Sequence, residues 1–191
     1  MSTHEPEVKR IASGKFSNAD RTMIFRLSQK LNAKVKAGKL DTVPQSQDPF
    51  ADWSCHLFNV SRTQFIIVCN TTTLYSCLMY ARGNSNDSLF ITNALDMIRD
   101  SLEADGYSDV YQQRVAPASA EVQFAKALNR SVTGSINELL IHGKIRLDED
   151  QSPFEVGRYL NTILMSPLGQ GKNDYGTPSD AFSQLASSVP K

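Results

Sequence analysis

Residues 53–81 read WSCHLFNVSRTQFIIVCNTTTLYSCLMYA, and this stretch decides the fold. Trp53–Val60, Gln64–Cys69 and Leu74–Ala81 are rich in β-branched, aromatic and other apolar residues, which favour strands. The middle run is apolar at consecutive positions, as is typical of a strand buried on both faces. Because neighbouring strands joined by short turns pair antiparallel, the stretch predicts an antiparallel β-meander.

Helix signals follow the meander. Apolar residues recur at helical spacing over 88–104, and two capping-box sequences predict helices over 135–143 and 153–165. Met23–Leu27 predicts a short opening strand, whereas 121–128 fits both a strand and a helix. The sequence therefore predicts an α+β fold in which an antiparallel meander sheet packs against three to four helices.

The chain has the length and composition of one globular domain. It contains 191 residues, of which 40% are hydrophobic and 21% are charged, and this excludes a wholly disordered chain and a multidomain protein. Residues 1–22 are polar and are predicted to be an N-terminal extension. We expect one α+β domain over 23–166 and a flexible C-terminal tail over 167–191, where small polar residues dominate.

The formal net charge is zero, but the charge is unevenly distributed. Residues 1–40 hold nine Lys and Arg residues against three acidic ones, and a basic segment can bind phosphate. A nucleic-acid interface in the basic 21–39 region is therefore one alternative, although the lysines do not all share one face of a helix. Its candidate contacts are Arg26, Lys30, Lys34 and Lys36, with Lys39 nearby.

The cysteines and the hydropathy of the chain indicate the cellular compartment in which the protein is expected. Cys55, Cys69 and Cys77 are an odd number without a CxxC spacing, so they predict neither a disulfide scaffold nor a zinc ribbon. The first residues lack the apolar run of a secretion signal, and no apolar run is long enough to span a membrane. We therefore expect a reducing, cytoplasmic environment and no membrane partner.

Four residues could carry enzymatic chemistry. Cys55 and His56 are neighbours on a predicted strand and therefore point to opposite faces, which argues against a thiolate–imidazolium pair. Glu138 and His142 are four residues apart and share a helix face, where a surface ion pair is expected. Two ligands do not make a zinc site, so we predict no metal and no cofactor. Signature motifs for nucleotide binding and common hydrolases are absent from the sequence.

The segment over 127–139 is the most distinctive candidate site. Small polar residues and one arginine lie between apolar stretches, and a polar loop that enters a helix N-terminus can bind an anion. The guanidinium of Arg130 is suited to phosphate or carboxylate. A purely structural role would explain the same composition: the small polar side chains would cap the backbone of the loop, and the glycine would allow close packing. The predicted ligand-binding residues are Asn129, Arg130, Ser131, Ser135, Asn137 and Glu138.

Several of these segments together resemble a bacterial family of uncharacterised proteins. They are Met23–Leu27, the hairpin that begins with Trp53, Phe65–Asn70, and the late Asn-Arg-Ser-x-x-Gly-Ser-x-Asn pattern at 129–137 with an acidic residue after it. The resemblance covers roughly 23–165. It implies that Met23 marks the usual start of the family and that 1–22 are an extension. It implies no activity, cofactor or catalytic residue.

The sequence favours a non-enzymatic, cytoplasmic binding module that uses the polar loop over 129–138, with Arg130 as its main contact. Its partner would be a protein or a small anionic ligand. Nucleic-acid binding through 21–39 is the first alternative. A small enzyme that uses Glu138, His142 or Cys55 is the second.

Overall fold

A computed structural model describes residues 9–10, 22–149, 151–169, 171 and 174–189 of the chain. Its centre is a mixed β-sheet with the strand order β1-β6-β2-β3-β4-β5. Five strands of five residues or more lie in this described part, beside a two-residue edge strand. The strands are β1 (Lys9–Arg10), β2 (Met23–Leu27), β3 (Asp52–Val60), β4 (Thr63–Asn70), β5 (Ser76–Tyr80) and β6 (Glu121–Lys126).

The predicted meander is confirmed, but it forms only one half of the sheet. β3, β4 and β5 pair antiparallel in sequence order, and the register places His56 opposite Ile67. β2 pairs parallel with β3 on one side and with β6 on the other. The sheet is therefore mixed rather than purely antiparallel. The reason is that helical connections separate these strands along the chain, and such crossovers permit parallel neighbours.

Six helices flank the sheet in the described part of the chain, more than the three to four that were predicted. They are α1 (Gln29–Val35), α2 (Asp87–Ala104), α3 (108–118, with a π-helical turn at Tyr111–Val115), α4 (Arg130–Asp148), α5 (Pro153–Leu160) and α6 (Pro178–Ala186). Ser28 caps α1, and Ser152 and Glu155 form the predicted capping box of α5.

The helices cover both faces of the sheet, and alternate strand residues separate two cores. On β4, Ile66 and Val68 join the core made with α1, α2, α3 and α6. Phe65 and Ile67 join the core made with α4 and α5. This is the two-residue period expected of a central strand.

The segment over 167–191, predicted as a flexible tail, contains α6 in its described part. Phe182 of this helix is fully buried beside Phe50, Tyr75 and Tyr107. The folded unit therefore extends past residue 166, because Phe182, Leu185 and Ala186 pack α6 against the core. The predicted extension over 1–22 lies mostly outside the described residues. No described helix is both long enough and apolar enough to cross a membrane.

Candidate functional site

A groove of about 940 Å³ opens between α1, the end of β3 and the outer face of α4. This volume lies at the upper end of the range of roughly 300–1,000 Å³ that is usual for small-molecule sites. We call it the β3 groove. Its polar and charged lining residues are Ser28, Gln29, Lys30, His56, Asn59, Gln64, Thr133, Asn137 and Lys144, and its apolar lining residues are Ala33, Leu57, Phe58, Ala127 and Leu140.

His56 forms part of the wall of this groove and has no hydrogen-bond partner. It is 8% exposed, and no hydrogen bond joins its ring to another residue of the described chain. Each ring nitrogen keeps some contact with solvent. The ring nitrogens therefore face the groove, where a ligand or water can bind them. Burial lowers the pKa of His56 below its ordinary value. The ring is therefore neutral at pH 7 and offers one donor and one acceptor.

The charges that line the β3 groove are all positive. Lys30 projects from α1 and Lys144 from α4, both side chains are exposed, and neither has an ion-pair partner within the described chain. No carboxylate is among the described residues that form the groove. Two unpaired ammonium groups beside amide side chains attract an anion.

The polar segment over 129–138 is helical, which corrects the prediction of a loop. α4 begins at Arg130, with Asn129 as its cap, rather than at the predicted capping box of Ser135. Gly134 lies inside the helix with open space around it, and Gly143, predicted to end the helix, packs against Leu160 of α5 instead. Packing of the apolar face of α4 on the sheet outweighs the weak helix propensity of this segment.

Only one of the six predicted ligand-binding residues reaches the β3 groove, and that residue is Asn137. The side chain of Asn129 accepts the Val132 amide, and the buried Ser135 hydroxyl donates to the Ser131 carbonyl. These contacts are structural. Arg130 and Glu138 are exposed on α4 outside the groove. Arg130 is therefore not the central contact of this groove, because the helix directs it elsewhere.

The predicted nucleic-acid contacts do not form one surface. Arg26 is 1% exposed and forms a buried ion pair with Asp52 at 2.7 Å, so it is inaccessible to a polyanion. Lys30 faces the β3 groove, and Lys34 faces a neighbouring one. Lys36 is exposed at the C-cap of α1 and lies in neither of these grooves.

The residues considered for catalysis are dispersed. Cys55 is buried in the core on the opposite face from His56, and burial raises its thiol pKa well above the ordinary value. Cys69 and Cys77 are buried too, and burial raises the pKa of each to about 12. A buried thiol with a raised pKa is a poor nucleophile.

Trp53 is fully buried in the core, and its indole N–H donates a hydrogen bond to the Phe50 carbonyl at 2.8 Å.

The predicted Glu138–His142 ion pair is absent from the described structure. The two side chains share a face of α4 but do not approach within ion-pair distance. The part of the chain that the structure describes holds no cluster of three His, Cys, Asp or Glu side chains that could bind a metal.

Sequence reasoning missed the residues that complete the β3 groove. Lys144 follows Asn137 by seven residues, which is two helical turns, so a helix over the whole segment would have placed both on one face. His56 was considered only as a partner for Cys55. Its position beside α4 depends on packing between distant segments, which no local pattern records.

The comparisons with known proteins identify a family. Residues 24–181, more than four-fifths of the chain, match the model of the family described as "Domain of unknown function (DUF6933)". The start of the match agrees with the boundary that the resemblance implied at Met23, and its end lies beyond the expected one, within α6. No curated protein and no solved structure gives a significant match.

Proposed function

The chain belongs to this family of domains of unknown function, and from its own surface we propose that it is a binding module whose β3 groove takes a small organic anion. The observation that carries the proposal is His56, which is more than nine-tenths buried, lacks a hydrogen-bond partner and faces a groove whose charges are all positive.

The lining suggests how a ligand would be held. The ammonium groups of Lys30 and Lys144 would bind an anionic group from opposite walls. The imidazole of His56 would hydrogen-bond to the ligand, and the carboxamide of Asn137 would fix its orientation. Phe58 and Leu140 give the groove an apolar part, and this favours an organic phosphate or carboxylate over a bare inorganic ion.

The histidine ring signals in NMR spectra provide a test, because the chain has three histidines and, of the two described, only His56 lines the groove. We would titrate the protein separately with inorganic phosphate, AMP and citrate while recording the histidine ring signals by NMR. We expect the His56 signals to shift and saturate with at least one organic anion, while the His142 signals stay in place.

Lys144→Gln provides the matching variant, because Lys144 is exposed and its removal leaves the core intact. We expect the affinity measured at His56 to fall about tenfold, as for the loss of one charged contact of about 1.5 kcal/mol. Lys39→Gln, which removes the same charge outside the groove, should leave the affinity within about threefold of the wild-type value. Equal shifts at His56 and His142, or no shift at millimolar concentrations of any of the three anions, would refute the proposal.

A cytoplasmic location forms part of the proposal. Its support is the three free cysteines, which are all buried, because unpaired thiols are commonest in proteins of reducing compartments.

A further inference from the structure

We propose that a second surface of the protein, at the turn of the β3–β4 hairpin, binds single-stranded nucleic acid. Lys34, Arg62 and Arg82 line a groove of about 780 Å³ together with Tyr80. We call these four residues the hairpin strip. They come from α1, the hairpin turn, the end of β5 and the residues that follow it, so only the folded chain brings them together.

The three cations of the hairpin strip are available to phosphates. Arg62 and Arg82 are exposed, and neither has an ion-pair partner among the residues that the structure describes. The Lys34 ammonium donates a hydrogen bond to the Gln64 side chain at 3.1 Å, which leaves its charge uncompensated. No acidic side chain is among the described residues that line this groove. Arginine guanidinium groups bind phosphate oxygens in pairs, and successive phosphates along a strand fit a row of such cations.

Tyr80 supplies the aromatic surface that a nucleobase requires. Its side chain is 54% exposed at the end of the edge strand β5. The ring lies 5.3 Å from the ring of Phe65, which in turn stacks at 5.8 Å on Phe58. This aromatic ladder crosses three strands and holds the tyrosine ring in place at the surface. An exposed, supported ring at the rim of a groove lined by cations is a combination that single-strand binding proteins use.

The tyrosine also distinguishes among polyanions. A base in a duplex is already stacked on its neighbours, so the ring favours single strands over double strands. An acidic protein segment would contact the same cations but would gain no stacking. None of the four residues of the hairpin strip lines the β3 groove, although Gln64 lies in the walls of both grooves.

Fluorescence anisotropy tests the inference with a labelled oligothymidine of about 12 nucleotides, titrated with the full chain between about 50 and 300 mM salt. Three phosphate contacts predict a slope of about −2 for the logarithm of the association constant against the logarithm of salt concentration. We expect Arg62→Glu/Arg82→Glu to abolish measurable binding and Tyr80→Ala to weaken it about tenfold. Arg62 and Arg82 are exposed, so their replacement should leave the thermal unfolding midpoint unchanged.

The matched control is Lys36→Glu/Lys39→Glu, which changes the net charge equally at exposed positions outside the strip. We expect this variant to bind within about threefold of the wild-type affinity, and poly-glutamate to compete weakly. An equal loss in both double variants would mean that overall charge determines binding and would overturn the proposal. Unchanged binding by Tyr80→Ala, or no binding by the wild-type chain at low salt, would overturn it as well.

Discussion

Arg26 and Asp52 form a bidentate ion pair between the parallel strands β2 and β3, and both side chains are almost fully buried. Nε lies 2.7 Å from Oδ1 and one terminal nitrogen lies 2.8 Å from Oδ2. The remaining guanidinium N–H groups donate to the carbonyls of Val43, Pro44 and Lys126. Every donor of the guanidinium is therefore used, and the arginine joins the loop before β3 to β2 and β6.

Removing the carboxylate of this pair should destabilise the protein severely. Asp52 also accepts hydrogen bonds from the Thr71 hydroxyl and the Ser46 amide. Asp52→Ala would leave a buried guanidinium without its counterion, and we expect the free energy of unfolding to fall by about 3–5 kcal/mol. Urea unfolding followed by circular dichroism measures the loss.

The surface pair of Asp96 and Arg99 is the control for this measurement. Both of its side chains are about half exposed, so Asp96→Ala should cost less than about 1 kcal/mol. If Asp52→Ala were equally mild, the buried pair would be relaxed or hydrated in solution.

Two helical glycines should respond in opposite directions to the same substitution. A Cβ on Gly157 of α5 would lie 3.1 Å from the Leu78 amide nitrogen and 3.4 Å from the Cys77 Cα, so Gly157→Ala should push the helix away from the edge strand. A Cβ on Gly134 of α4 would meet nothing within 4 Å. Gly134→Ala should therefore raise the free energy of unfolding by about 0.5–1 kcal/mol through helix propensity alone.

Thermal unfolding of the two alanine variants tests this difference. We expect the unfolding midpoint to decrease for Gly157→Ala and to increase for Gly134→Ala. A higher midpoint for Gly157→Ala would mean that α5 can move away from β5 without loss of stability.

Helix α6 should contribute strongly to the stability of the protein, mainly through Phe182. The ring of Phe182 lies 4.6 Å from the ring of Tyr75 and 5.1 Å from that of Tyr107. Phe182→Ala should lower the free energy of unfolding by about 3–5 kcal/mol, because it removes a fully buried aromatic side chain. Tyr175 is 57% exposed in the same part of the chain, and Tyr175→Ala should have little effect. Similar urea midpoints for the two variants would show that α6 is undocked in solution.

The sequence predicted the elements whose signals are local. The meander over 53–81 and the capping box at Ser152 are complete within short windows, and both are confirmed. The parallel partners of β2 depend on where the long helical connections return to the sheet. The hydrophobic periodicity and the composition of the chain do not indicate the strand beside which each connection ends. α6 was missed because it is short and because its apolar residues, Phe182 and Ala186 among them, are buried by segments distant in sequence.

The same limit applies to the candidate site. Arg130 and its neighbours were chosen for composition, but the segment is a helix that directs most of them away from the β3 groove. Asn137 is the one predicted ligand-binding residue that lines the groove, from a helix rather than from a loop, and its binding role stays a prediction. The importance of His56 depends on burial and on the absence of a partner, and both follow from packing between distant segments.

The state of His56 should make stability depend on pH. Its pKa is about 6.5 in an unfolded chain, and burial lowers it in the folded protein. The unfolded chain therefore binds this proton first as the pH falls. The free energy of unfolding should decrease through about pH 6.5 and level off below the folded-state pKa. The cations Lys30 and Lys144 line the same groove as His56, on the two helices beside it.

His56→Gln isolates this dependence, because glutamine keeps a polar side chain but does not titrate. We expect urea unfolding between about pH 5 and 8 to give a smaller decrease in stability for this variant than for the wild type. His142→Gln, at a half-exposed position on α4, should keep the wild-type dependence. An anion in the β3 groove would stabilise imidazolium and raise the pKa of His56, so its affinity should increase as the pH falls through the same range. An identical pH dependence of stability in His56→Gln and the wild type would show that the imidazole is hydrated rather than buried.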